Sequence, residues 1–395
     1  MRYLTSVFSF LLKTYIIYSS YKDLPNTWDS LVIHDIFLQT KYLQAIEEAL
    51  PINIQLFYIG VFVEDKLVGL ALIQRVQLYL KDMFRNHAVS CIKDFFKDQV
   101  SKVLKGNILV IGNLTHTGQH GLFYQKEAIA QLDFLKLIYE AINTIKANIK
   151  LNENKKIRVL MLKDFFIDDS IDKERAFLDS HKIHRVMVQP NMVLPIQPDW
   201  LKKEDYKACL NKKYRDRYKR ARKNLNSIVC KELDLNTIQK RSKKLHSLYL
   251  NVSDNATFNT FILPENHFYS LKLQLQDKFK VFGYYLEDKL IGFYTLILNN
   301  KSLETYFLGY DIEHQIPNQL YLNMLYNMTE FAIEHGFTQV IYARTAMEIK
   351  SSVGAKPKAM VIYLKHTNGF INVILKQIFS LMNPKQDWVE RHPFL

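Results

Sequence analysis

The chain has 395 residues, enough for two domains that each bury a core. Its 48% hydrophobic and 23% charged residues exclude a disordered or fibrous class, and three scattered cysteines (Cys91, Cys209, Cys230) exclude a disulfide framework or a Cys-x-x-Cys zinc site and point to a reducing compartment. The net charge of +14 implies an anionic partner: a nucleotide-bearing cofactor, RNA, an acidic carrier protein or the inner membrane surface, with a solubilising surface as the plain alternative.

At the N-terminus, the apolar run Val7 to Leu12 is interrupted by Lys13 and no small-residue cleavage site follows. No apolar run reaches the roughly 18 residues of a transmembrane helix. The expected location is cytoplasmic, compatible with peripheral contact at the inner membrane face. Glu64-Asp-Lys-Leu-Val-Gly69 lies between the hydrophobic runs Leu56–Val63 and Leu70–Ile73, and reads as the tip of a β-hairpin. Phe84 to Leu104 reads as a helical insertion and Asn107–Ile111 as a buried strand. A glycine-containing loop, Gly112 to Gly121, comes next. Gln125 to Ile149 reads as a helix, with Ile129, Leu132, Leu135, Ile138, Ile142 and Ile145 on one face. Lys156–Leu162 is a further strand. Asn191–Pro198, a strand flanked by prolines, places the domain boundary at Pro198, giving domains over 1–198 and 199–395.

The second domain opens with a basic helical stretch over 203–225. Lys212 to Lys223 holds eight basic residues and one acid, while Leu210, Tyr214, Tyr218, Ala221 and Leu225 form an apolar stripe. One face then packs on the domain and the other offers Arg215 and Arg217 to phosphates, or simply to water. Glu287-Asp-Lys-Leu-Ile-Gly292 repeats the first hairpin tip, again between hydrophobic runs, Phe279–Leu286 and Phe293–Leu298. The order that follows also repeats. Glu304–Tyr310 is a strand, Asp311–Pro317 a loop, and Asn318–His335 a helix ended by Gly336; Gln339–Ala343 is a strand, and a C-terminal helix covers 369–382. Strand, helix and parallel strand imply a right-handed crossover. The expected fold is therefore α/β with mixed sheets, one core used twice, with a cleft between the copies.

Polar residues concentrate after the last parallel strand, where α/β sheets collect catalytic groups: Arg344, Glu348, Lys350 and Ser351. A lysine on a sharp turn can donate to a developing oxyanion, and Glu348 could act as a base if burial raises its pKa. The plain alternative is a surface pair between Glu348 and Lys350. Tyr306 and Tyr310 on the preceding strand can donate hydrogen bonds or protons, with Tyr310 and Asp311 at its carboxyl end. Asn318 begins the next helix. His116, His120 and His314 flank the two corresponding loops and read as solvated. None has a partner at metal-ligand spacing, and no metal is expected.

This order of elements, with a hairpin ending in aliphatic-Gly, resembles the GCN5-related N-acetyltransferase (GNAT) core. Two such cores in one chain resemble the bacterial Fem-type (FemAB-like) peptidoglycan aminoacyltransferases over about Trp28 to Pro357. Glu348-Ile-Lys350-Ser-Ser-Val-Gly354 is similar to their aromatic-Lys-x-x-aromatic-Gly signature, Lys212–Lys223 to the basic helix of their second core, and Ala332 and Gly336 to a helix end of theirs. The resemblance implies an acyl- or aminoacyltransferase acting on an amine by direct attack, with Lys350 steadying the tetrahedral intermediate. Catalytic roles are then expected of Lys350, Arg344, Glu348 and Tyr310. Donor or substrate binding is expected of Tyr306, Asp311, Asn318, Ser351, Arg215 and Arg217. The pyrophosphate loop of GNAT enzymes is rich in glycine, whereas Asp311–Asn318 has none. That fits a bulkier donor, such as aminoacyl-tRNA or an acyl-carrier protein, beside acyl-CoA; no DNA partner is expected. A catalytically degenerate scaffold and an RNA-binding protein are the alternatives.

Overall fold

The computed structural model describes residues 12–78, 106–254, 260–382 and 388–394; the expected helical insertion at 84–104 lies outside them. In the first half, β1 (Lys13–Tyr18) edges the hairpin β2 (Ile54–Val63) and β3 (Lys66–Leu78). Next come β4 (Gly106–Ile111), the short β5 (Leu122–Tyr124), the helix Gln131–Glu153, β6 (Ile157–Phe166) and β7 (His184–Pro195). The second half runs through β8 (Val229–Glu232), β9 (Phe279–Leu286), β10 (Lys289–Asn299), β11 (Ser302–Tyr310), the helix Leu320–Glu334, β12 (Gln339–Ile341) and β13 (Lys356–His366). Both copies of the repeated segment form hairpins, with Glu64, Asp65 and Glu287 at positive φ in the turns.

The strands join in one 13-stranded sheet, ordered β1-β2-β3-β4-β6-β13-β7-β12-β11-β10-β9-β8, with β5 beside β3. The order is a palindrome: β1 answers β8, β2 β9, β3 β10, β4 β11, and β6 β12. The centre is an exchange. β13, from the second half, pairs with β6, while β7, from the first, pairs with β12, and β7 and β13 pair with each other. The expected boundary at Pro198 falls just after β7, and the strands on either side of it share one sheet. The parallel crossovers are present, as β4 with β6 and β11 with β12.

Apolar stripes decide the layers. On one face, the helix Gln131–Glu153 buries Leu135, Ile138, Ile142 and Ile145 on the first core, and the helix Leu320–Glu334 buries Met324, Met328 and Ala332 on the second. On the other face the helices Thr40–Glu48 and His267–Leu275 pack together, in a single cluster that draws on both halves. Polar bonds cross there too: Ser270 Oγ donates to Ala45 O over 2.9 Å, and Ile36 N to Asn299 Oδ1 over 3.0 Å.

Three expected elements differ. The helix expected from Gln125 starts at Gln131, because Leu122–Tyr124 add to the sheet and Ala128 N and Ile129 N turn back to Gln125 O. Asp311–Pro317, expected as a loop, is largely the helix Ile312–Asn318, since Asp311 caps it by accepting from Glu313 N; Gln319, in left-handed geometry, separates it from the next helix. The basic stretch is two helices, Lys203–Cys209 and Lys212–Asn224, the second begun by Asn211, whose side chain accepts from Tyr214 N. Among the described residues, no helix is long and apolar enough to cross a membrane.

Candidate active site between the two cores

Aligning the two hairpin tips residue by residue makes Leu72 the counterpart of Thr295. Opposite Thr295 the partner strand bulges: Tyr294 pairs with Leu308 but Leu296 pairs with Thr305, leaving Tyr306 and Phe307 extra. Opposite Leu72 the same interruption has grown into ten residues, because Ala71 pairs with Leu122 and Ile73 with Ile111. Residues 112–121 are thus an expanded bulge. Its neck is closed by Gly112 and Gly121, where a Cβ on Gly121 would sit 2.3 Å from Gly112 Cα. Leu72 N–H donates to Gly121 O and Gly112 N–H to Leu72 O, both over 2.9 Å, so the strand ladder resumes across the excursion.

The expanded bulge carries His116 and His120 into the second core. These histidines, read from sequence as solvated, are packed inside. His116 Nε2 lies 3.1 Å from Glu304 Oε2 on β11, with 2% and 5% of the two side chains exposed. His120 Nδ1 lies 2.8 Å from Asp35 Oδ2. Phe37 packs against both rings, its centroid 4.3 Å from each. Burial holds the His116 pKa below its ordinary value. Burial also opposes the charge on His120 and on Asp35, but their mutual attraction outweighs it, raising the histidine and lowering the acid. A cavity of about 400 Å³ opens beside them, lined among others by Asp35, His120, Glu304, Asn299 and Asn191. Asn191 is 2% exposed and its Oδ1 has no hydrogen-bond partner among the described residues.

The strand registers make Asp164, beyond the part of β6 paired with β4, the counterpart of Arg344 beyond β12. The two meet at the centre as an ion pair. Asp164 is fully buried at φ 61° and also takes Lys163 Nζ and Gly118 N–H. Lys163 Nζ further donates to His116 O over 2.7 Å. Arg344 sits in a turn where Ala343, Thr345 and Ala346 all have positive φ, a costly conformation for residues with a Cβ. Lys350 holds that turn. From the short helix Met347–Ser351 its buried Nζ donates to Arg344 O over 2.6 Å and to Ala343 O over 3.4 Å. Burial pushes its pKa down to about 7.

Arg344, Glu348, Lys350 and Ser351 are therefore together, but their groups face different ways. Glu348 does not pair with Lys350; it is half exposed and pairs with Arg391. Ser351 Oγ donates to Glu348 O and accepts from Arg391 N, which occupies it within the protein. Arg217 and Glu348 line an open groove of about 710 Å³ with Lys213, Met347, Trp388 and Arg391. Arg215 is turned back onto Leu210 O, and Arg222 is tied internally to Glu330, Asn327 and Asn323, so these two arginines leave the outward face.

Tyr306 sits apart from that turn. Because Ala49 O can only accept, His267 Nδ1 donates to it, and His267 Nε2 accepts from the Tyr306 hydroxyl over 3.0 Å. Burial lowers the His267 pKa to about 4, which keeps that tautomer neutral. Tyr310 is half-buried, and burial raises its pKa. Asp311 caps its helix and lies 3.7 Å from Lys289, while Asn318 donates to Asn224 O; both are used structurally.

Asp35, Glu304, Asp164, Lys163 and Asn191 were missed by sequence reasoning. The usable signal was the alignment of Leu72 with Thr295, which marks residues 112–121 as an enlargement of a bulge.

No protein-family model and no curated protein matches the chain. Many solved structures resemble it, among them two that are matched over nearly their whole length. One is FemX, 11% identical, with a TM-score of 0.52 over 94% of this chain and 99% of that one. The other is a tandem GNAT protein from the clavulanic acid biosynthesis pathway, solved without AcCoA. It is 10% identical, with a TM-score of 0.50 over 90% of this chain and 99% of that one. At such identities the likeness concerns the fold. The palindromic strand order in one sheet, matched by these structures over nine-tenths or more of the chain, gives it a fold like that of FemX and of the tandem GNAT protein.

Proposed function

We propose that the chain is an N-acyltransferase or aminoacyltransferase, moving an activated acyl group onto an amine by direct attack on the thioester or ester carbonyl. The observation that carries this reading is the pair β11–β12 inside a FemX-like fold. It is hydrogen-bonded only over Ser302–Glu304 and Gln339–Ile341. Beyond that, β11 bulges at Tyr306 and runs on to Tyr310, while the segment after β12 turns away through Arg344. The donor's anionic portion lies in the groove with Lys213, Arg217 and Arg391. It does not lie at the start of the helix Ile312–Asn318, where the Asp311 carboxylate already takes a free N–H. Acyl-CoA, acyl-carrier protein and aminoacyl-tRNA are the donors this accommodates. In this reading Arg344 binds an anionic part of donor or acceptor, Tyr310 supplies a proton or hydrogen bond, and Lys350 supports the developing oxyanion as well as the turn.

The test is stabilisation by donor. Protein held at 100 times the Kd of a true donor gains about 2.7 kcal/mol of unfolding free energy. Lys350→Ala then loses roughly 10²-fold or more in rate in a turnover assay with that donor. One observation favours a second reading, a scaffold without chemistry: Lys350, Glu348, Ser351, Asp311 and Asn318 all have protein partners. No stabilisation by any of the three donor classes would favour it.

A further inference from the structure

We propose that His116, His120 and Glu304 form a site for one divalent transition-metal ion, bridging the two cores. A ring nitrogen of each histidine and one oxygen of Glu304 lie within 4.8 Å of one another. Ligands about 2.0–2.1 Å from a tetrahedral zinc stand about 3.3 Å apart. His116 Nε2 and Glu304 Oε2, at 3.1 Å, already have that spacing. Two imidazoles and one carboxylate are the donor set of open catalytic zinc sites and of facial non-haem iron sites.

The surroundings match a ligand cluster better than a chance polar contact. Asp35, 2.8 Å from His120 Nδ1, fixes that ring and leaves Nε2 as its ligating nitrogen. Asn299 Nδ2 donates to the other Asp35 oxygen over 3.3 Å, so the orienting carboxylate is itself held. Phe37 walls both rings. Lys163 is turned to Asp164 and the His116 carbonyl. His120 and Glu304 also line the 400 Å³ cavity, so a further coordination position opens toward whatever enters there. Because the histidines come from the expanded bulge of one core and Glu304 from β11 of the other, the ion would act as a cross-link between the repeats. The proposal is independent of the acyl-transfer reading.

The test uses the untagged full chain, freed of metal by a chelator and titrated with Zn²⁺ against a chromophoric competitor, alongside metal analysis of protein as purified. The expected results are one zinc bound per chain, a rise in Tm on binding, and zinc or iron near one equivalent as purified. Glu304→Gln and His116→Gln are expected to weaken binding by at least about 100-fold, and Asp35→Asn by roughly 10–100-fold. The His116→Gln amide can still donate to Glu304, which preserves the local hydrogen bond and the fold. Absence of a stoichiometric zinc complex in the wild-type chain would overturn the proposal, as would a complex whose affinity His116→Gln and Glu304→Gln leave unchanged.

Discussion

Replacing Lys350 by methionine separates the two states of a buried amine. In the folded protein its pKa is about 7, against 10.5 for an ordinary lysine, because burial disfavours the charge. Below pH 7 both folded and unfolded chains hold the proton, and the full burial penalty opposes folding. Between pH 7 and 10.5 the folded chain releases a proton that the unfolded chain keeps, so stability rises with pH. For one proton the slope is about 1.4 kcal/mol per pH unit. Methionine carries no proton, and other titrating groups cancel in the comparison. Urea unfolding of both proteins at several pH values from 6 to 9.5 gives the difference directly. The stability of wild type minus that of Lys350→Met is expected to be level below pH 7 and to climb at about that slope above pH 8. A difference that stays level to pH 9.5 would show that the two carbonyl contacts keep the amine charged, and would refute the assignment of a near-neutral pKa.

Other outcomes follow from the same packing. Asp164→Ala removes the carboxylate bonded to both Arg344 and Lys163, and should cost about 3–5 kcal/mol in chemical denaturation; adding Arg344→Met should recover part of it. Gly121→Ala places a Cβ against Gly112 Cα at the neck of the expanded bulge and should cost about 1–3 kcal/mol, with a matching fall in Tm. Arg217→Glu reverses a charge in the groove. It should weaken donor binding and flatten its dependence on salt, measured by titration at two ionic strengths, while leaving Tm within a few degrees.

Much of this architecture was legible because it was written twice. The repeated tip at 64–69 and 287–292 located both hairpins, and periodic apolar residues located the long helices and the packed face of the basic one. The strand exchange was not legible. Nothing local in β7 or β13 says which core either completes; only the pairing of β13 with β6 and of β7 with β12 settles it. The central polar cluster was hidden for a related reason. His116 and His120 belong to a loop whose counterpart in the second core is two residues long, so no repeat signal extends across it. Asp35 and Glu304 are remote from that loop in sequence. At the turn after β12 the residue types were found, but their directions depend on left-handed backbone at Ala343, Thr345 and Ala346, which no periodicity foretells.

The central claim is that this fold binds an activated acyl donor. Native mass spectrometry of the freshly purified full chain, alone and after addition of acyl-CoA, acyl-carrier protein or aminoacyl-tRNA, tests it most directly. The account predicts a one-to-one complex with one of these donors, lost on charge reversal at Arg217. A chain that remains at its bare mass with all three would contradict it.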